Sequence, residues 1–183
     1  MIDGALCSTL VNETAAKNTA CLKYRYVCRN YSSAGCLFDE SVSDGPYGSI
    51  SSDAHLHEIH VVLRYLLQKP DVGLIIKSQF QFNSPSQLYP EDSALREAAQ
   101  TGRYLELNVS GNRGRRNVVY PAEAALVSDI ALGNMVGGTA SLEAALVGCR
   151  SLLVDSHGQQ RPRRDLYDKA NIVYPSMESV IEA

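Results

Sequence analysis

The 183-residue chain contains no tryptophan and only three phenylalanines; its aromatic content rests on ten tyrosines, which suit amphipathic surfaces. It lacks an excess of positive charge. Seventeen Lys and Arg against twenty Asp and Glu leave a net charge of -3, which argues against a general polyanion binder and so against nucleic acid as a partner. No apolar run approaches the roughly 18 residues that cross a bilayer, so no transmembrane segment is expected. Met1-Ile2-Asp3-Gly4 offers neither a basic stretch nor an apolar one, so no secretory signal is expected and the expected location is cytoplasmic. Cysteine pairs of the C-x-x-C kind are missing too. Cys7, Cys21, Cys28 and Cys36 are separated by 14, 7 and 8 residues and Cys149 stands apart, a pattern of reduced thiols rather than a zinc knuckle or a thioredoxin motif. What is present is 45% apolar and 20% charged residues, enough for a sizeable core.

That apolar material is arranged as alternating strands and helices. Residues 21–29 (CLKYRYVCR) alternate like a strand, and 41–52 (SVSDGPYGSISS) have the composition of a loop. Leu56, Ile59, Leu63, Leu66 and Leu67 then recur at helical spacing behind Ser52-Asp53, and Pro70 stops the helix. Residues 72–77 (VGLIIK) read as a strand buried on both faces. Further strands are expected over 104–109, 117–120, 129–132, 150–155 and 171–174. Helices are expected over 91–100, 122–127 behind Pro121, 139–147, 164–170 and from Ser176 onward. The order predicts a Rossmann-like three-layer α/β/α fold with a mostly parallel sheet of about six strands. It predicts an irregular segment over 1–52 carrying one strand, and a Rossmann-like domain over 53–183.

Open α/β sheets bind ligands at the carboxyl ends of their strands. Of the loops at that edge the richest is Gly133-Asn134-Met135-Val136-Gly137-Gly138-Thr139-Ala140-Ser141, which opens a helix. Gly137 and Gly138 would let backbone approach a ligand, the helix start offers unpaired N–H groups to a phosphate or diphosphate, and Thr139 and Ser141 add hydroxyls. Glu143 follows one turn beyond Thr139. The same glycines also suit a plain strand-to-helix turn. The chain has no G-x-x-x-x-G-K-[ST], no early G-x-G-x-x-G and no G-x-S-x-G, which argues against a P-loop NTPase, a dinucleotide-binding Rossmann domain and the common serine hydrolase. The run His55-Leu56-His57-Glu58-Ile59-His60 invites a metal, but its spacing completes no ligand set beyond Glu58, so a solvated polar face is expected and no metal. Arg113, Arg115 and Arg116 suit either a phosphate clamp or a solvated loop, and Arg161, Arg163 and Arg164 begin a helix where cations oppose its dipole, a hint of an anion.

The run 118–155 (VVYPAEAALVSDIALGNMVGGTASLEAALVGCRSLLVD) resembles the donor-binding C-terminal half of GT-B-fold glycosyltransferases. The resemblance extends over about residues 53–183 and is shared with sugar-nucleotide 2-epimerases and CDP-glycerol-type polymer transferases. It implies that the 137–141 turn holds a nucleotide-sugar donor's diphosphate and that Glu143 accepts hydrogen bonds from ribose hydroxyls. It also implies that Lys77 faces charge developing on the leaving phosphate, and that Asp155, Ser156, His157 and Gly158 lie near the donor sugar; Lys77 and His157 are the residues it places at the reacting centre. The activity implied is transfer of a sugar or polyol phosphate to a glycan acceptor in surface polysaccharide synthesis, in the cytoplasm or at the inner face of the membrane. The nucleotide sugar is the substrate, with no cofactor and no metal. Such enzymes react between two Rossmann-like halves, and this chain spans about one; an N-terminal half or a partner chain would supply the rest, so one half alone is not expected to turn over. An epimerase-like enzyme and a non-catalytic interaction domain are the alternatives.

Overall fold

In the computed structural model the described residues are 31–39, 42, 50–79, 83–107, 119–156 and 164–183. In chain order the elements are β1 (Ser33–Asp39), α1 (Ser52–Gln68), β2 (Val72–Ser78), α2 (Pro85–Leu88), α3 (Ser93–Gln100), β3 (Tyr104–Glu106) and α4 (Pro121–Ala125). They continue with β4 (Ile130–Asn134), a 3-10 turn (Met135–Gly137), α5 (Thr139–Leu146), β5 (Arg150–Val154), α6 (Arg164–Lys169), β6 (Val173–Tyr174) and α7 (Met177–Glu182).

All five pairings in the sheet are parallel, and the strand order is β3-β2-β1-β4-β5-β6. The chain thus winds outward from β1 through β2 to β3, then returns to the other side of β1 with β4. A Rossmann-like α/β fold follows, with its order reversing between β1 and β4. There Phe38 is in register with both Lys77 of β2 and Gly133 of β4.

Local chemistry accounts for the helix ends. Ser51 caps α1 by accepting from the Ala54 N–H at 3.3 Å, and Asp53 suits the positive end of its dipole. At the other end Lys69 is extended, as a residue before proline must be. The Arg103 guanidinium then donates to the carbonyls of Leu66, Lys69 and Val72 at 2.6, 2.6 and 3.0 Å, tying the end of α1 to the start of β2. Asp92 caps α3 through the Leu95 N–H, and Ser176 caps α7 through the Ser179 N–H.

The two faces of the sheet are packed differently. Leu37, Leu74, Ile76, Leu132 and Leu152 meet Ile59, Leu63 and Leu66 of α1, Leu95 of α3 and Met177 of α7. On the opposite face Cys36, Phe38, Ile75 and Ala131 meet the small residues Ala124 and Ala125 of α4 and Ala144 of α5. Small side chains let α5 come close: a Cβ built on Gly133 would lie 2.2 Å from Ser141 Oγ. Gly133→Ala is therefore expected to destabilise the chain by about 1–3 kcal/mol, the usual cost of overpacking. Adding Ser141→Ala should return most of that loss in chemical denaturation, because the clashing atom is then gone.

Most expected elements are present, and the departures have physical reasons. The sheet takes its central strand, β1, from before residue 53, within the stretch read as irregular. Ser33, Ala34 and Gly35 carry no strand propensity, yet Ala34, Cys36, Leu37 and Phe38 are at most 5% exposed, because two apolar neighbouring strands cover them. Residues 119–120 form no strand; Tyr120 is extended before Pro121 and serves instead as the cap of α4, its N–H donating to Glu123 at 2.8 Å. β3 is named only over Tyr104–Glu106, although the Leu107 N–H continues the ladder to Ile76 O at 2.8 Å. The strand expected over 21–29 lies outside the described residues. Among the described residues no helix is long and apolar enough to cross a membrane.

Candidate functional site

At the reversal point a pocket of about 230 Å³ opens on the α4–α5 side of the sheet. Phe38 and Pro121 supply apolar walls; Asp39, Lys77, Gln79, Thr139, Ala140 and Glu143 supply the rest. Lys77 enters from the end of β2, only 7% exposed, with its Nζ 3.4 Å from Ser78 O, to which it donates. Thr139 and Ala140 belong to the first turn of α5, and Glu143 follows one turn on. Lys77, Thr139 and Glu143, named from the sequence, thus line one pocket.

The glycine turn is built differently from expectation. Asn134, the last residue of β4, accepts from the Val136 N–H at 3.2 Å and so caps the 3-10 turn, which runs through Gly138 into α5. Gly138 has φ -52° and ψ -6°, a right-handed conformation open to any residue, and a Cβ there would meet nothing closer than Met135 O at 3.6 Å. The backbone at 138 therefore makes no demand for glycine; what glycine contributes is an open approach. Gly137 closes the 3-10 turn. Ser141 is not part of the pocket: it is 3% exposed and its Oγ faces Gly133, between α5 and β4. A residue two positions after Thr139 is turned some 200° around the helix, so the two hydroxyls cannot share a ligand side.

His157 lies outside the described residues, as do Arg113, Arg115, Arg116, Arg161 and Arg163. Asp155 is buried and ion-paired with Arg164, whose Nε also donates to Asp168 at 2.8 Å. Arg164 is thereby held by two carboxylates, which answers the question its position against the dipole raised.

On the other side of the sheet, at the same edge, lies a buried polar chain that the sequence reading missed. Asp39 Oδ1 is 2.5 Å from His55 Nε2, and Asp39 Oδ2 accepts from Ser78 Oγ at 2.9 Å. His55 Nδ1 is 2.8 Å from Tyr89 Oη, which donates to Ser52 O at 3.0 Å. The chain ties β1, β2 and the segment after α2 to the start of α1. His55 is 3% exposed, not part of a solvated face. Its helical spacing carried the signal: His55 precedes Ile59 by four residues and Val62 by seven, on the buried stripe of α1. His57 and His60 do face outward, paired with Glu178 and Asp92, each at 2.7 Å. Among the described residues no three His, Cys, Asp or Glu side chains converge to hold a metal ion.

Glu58 sits beside this chain. Burial pushes its carboxyl up to about 7; Asp39 adds to the rise, while His55, His57 and Asn134 oppose it. A cavity of about 10 Å³ lies between Asp39, His55, Glu58, Asn134 and Met177.

No protein-family model and no curated protein matches this chain. Fold and site define a Rossmann-like α/β domain with a polar pocket at its topological switch point.

Proposed function

We propose that this pocket binds a nucleotide-activated sugar or polyol through its diphosphate, and that the domain serves transfer of that group to a glycan acceptor. One observation carries the reading: Lys77 and the first turn of α5, more than sixty residues apart, line one pocket where ligands bind in such sheets. Each wall suits one part of the donor. Lys77 offers a positive charge, the start of α5 offers N–H groups and the positive end of a dipole, and Thr139 offers a hydroxyl. Glu143, an acceptor when ionised, suits the ribose hydroxyls. The pocket is smaller than the roughly 300–1,000 Å³ of whole-ligand sites, a size for the diphosphate and its neighbours rather than the entire donor. With a sugar donor, an acceptor hydroxyl attacks the anomeric carbon and releases its proton to solvent, the bond from that carbon to the phosphate oxygen breaks, and nucleoside diphosphate leaves with the electron pair. Lys77 and the α5 terminus stabilise that leaving charge electrostatically.

Gly138→Asp is the sharpest test. The backbone accepts the side chain, so the ligand-free chain should melt as before, while a carboxylate at the mouth of the helix repels a diphosphate. A thermal-shift series with UDP, GDP, CDP and ADP should show stabilisation of the parent chain by one of them. The variant should lose that stabilisation, and Glu143→Gln should weaken it about tenfold. A parent chain that none of the four stabilises at millimolar concentration, or a variant that binds equally well, overturns the proposal.

A further inference from the structure

Among the described residues two buried side-chain oxygens have no hydrogen-bond partner, Ser141 Oγ and Ser151 Oγ. Both residues line one pocket, of about 390 Å³, between α5, β5 and the end of α6. It shares a face of the sheet with the candidate site but lies toward the opposite edge: Arg150 and Ser151 begin β5, and Asn171 and Ile172 precede β6. Register puts Ser151 beside Ala131, on the α5 face, and Ser141 Oγ lies over Gly133 on the underside of α5. The next helix, α6, buries none of its residues, so the sheet beside α5 is left open there. Leu142 and Ala145 of α5, Leu153 of β5 and Ile172 make the walls largely apolar. The one charged residue of the lining is Arg150, which forms no ion pair among the described residues.

We propose that this pocket binds a small carboxylic acid with an apolar body, through the two serine hydroxyls and Arg150. The site is independent of the nucleotide reading above. Volume, polarity and charge each carry part of the assignment. The volume falls within the roughly 300–1,000 Å³ of small-molecule sites, which are mostly apolar with a few placed polar groups. A buried hydroxyl without a partner has given up its hydrogen bonds to water, and two such groups in one pocket wall point to a molecule that pairs with them. A serine hydroxyl turns between staggered positions, so it reaches a ligand without moving the backbone. A guanidinium fork suits a carboxylate, and no acidic side chain lines the pocket to repel one. The hydroxyls donate to the acid, whose two oxygens offer about four acceptor sites, and the apolar walls take its body.

Octanoate serves as the test ligand, with octylamine as the same chain of opposite charge and octanol as the uncharged one. Titrated into ¹⁵N-labelled protein at millimolar concentration, octanoate should shift the amide resonances of Ala145, Ser151, Leu153 and Asn171 saturably, and octylamine should not. Arg150→Gln should weaken octanoate about tenfold and leave octanol unchanged, because only the acid makes a charge-assisted bond. Ala145→Leu fills the pocket from an exposed helical position, so the ligand-free chain should melt as before while octanoate binding is lost. Ser151→Ala separates a ligand-binding role from a structural one. Its hydroxyl has no partner to lose, so the ligand-free variant should be at least as stable as the parent, yet bind octanoate several-fold more weakly. Octylamine that binds as well as octanoate, or unchanged octanoate affinity in Ala145→Leu or Ser151→Ala, overturns the proposal. The absence of saturable shifts with octanoate overturns it too, and is the result expected if water alone pairs the two hydroxyls. Should Ser151→Ala fail to fold, Ala145→Leu and Arg150→Gln decide.

Discussion

His55→Ala is expected to cost about 3–5 kcal/mol of folding stability, among the largest losses available to a single substitution in this chain. The change strands a buried carboxylate: Asp39 is 5% exposed and is left with the Ser78 hydroxyl, while Tyr89 Oη loses His55 Nδ1. A chain of this size melts about 2–4 °C lower per kcal/mol, so a fall in Tm of roughly 10 °C is expected. Replacing both partners, as Asp39→Asn with His55→Gln, should recover part of the loss, since two amides can still hydrogen-bond across the gap. A His55→Ala chain that melts within 2 °C of the parent would remove the polar chain from the list of features holding α1 to the sheet.

The second large effect depends on pH. The Glu58 carboxyl has an ordinary value of 4.5 and is pushed up to about 7 in the folded chain, chiefly by burial. Below 4.5 both folded and unfolded chains hold the proton, and the favourable contribution of the neutral carboxyl is complete. Between 4.5 and 7 the unfolded chain releases its proton first, so stability falls as pH rises, and above 7 the contribution is gone. The interval of about 2.5 units corresponds to about 3 kcal/mol. Glu58→Gln removes this slope. Urea denaturation of both chains at pH 5 and pH 8 should show the variant gaining on the parent by up to about 3 kcal/mol at the higher pH. Equal differences at the two pH values would mean that Glu58 titrates alike in the folded and unfolded chains.

These two residues show where sequence reading succeeds and where it stops. The helix over Ser52–Gln68 was legible because its apolar residues recur with one period, behind a serine cap and ahead of a proline. The buried strands Val72–Ser78 and Arg150–Val154 were legible as short apolar runs. That Lys77, Thr139 and Glu143 would line one pocket was legible because each stands at, or one turn beyond, the carboxyl edge of the sheet. Ser141 was misjudged because its hydroxyl was counted without regard to the side of α5 on which it falls; Gly133, two residues after Ala131, marks that side as the one packed on the sheet. β1 was not legible at all. Ser33-Ala34-Gly35 has the composition of a turn, and its strand conformation comes from hydrogen bonds to β2 and β4 that no local pattern records.

By itself, then, the sequence determined the alternation of strands and helices, the absence of membrane-length apolar helices among the described residues, and the loop edge on which polar residues gather. Period, capping and proline placement are local properties, written within a few residues of where they act. Only the tertiary structure decided that residues 33–39 form the centre of the sheet and that the order reverses between β1 and β4. It likewise decided that Asp39, His55, Ser78 and Tyr89 form one buried chain. Those facts rest on contacts between residues that are 16 to 39 positions apart or more, whose partners are chosen by burial. A polar residue becomes a buried ligand for another only after the sheet has closed over both.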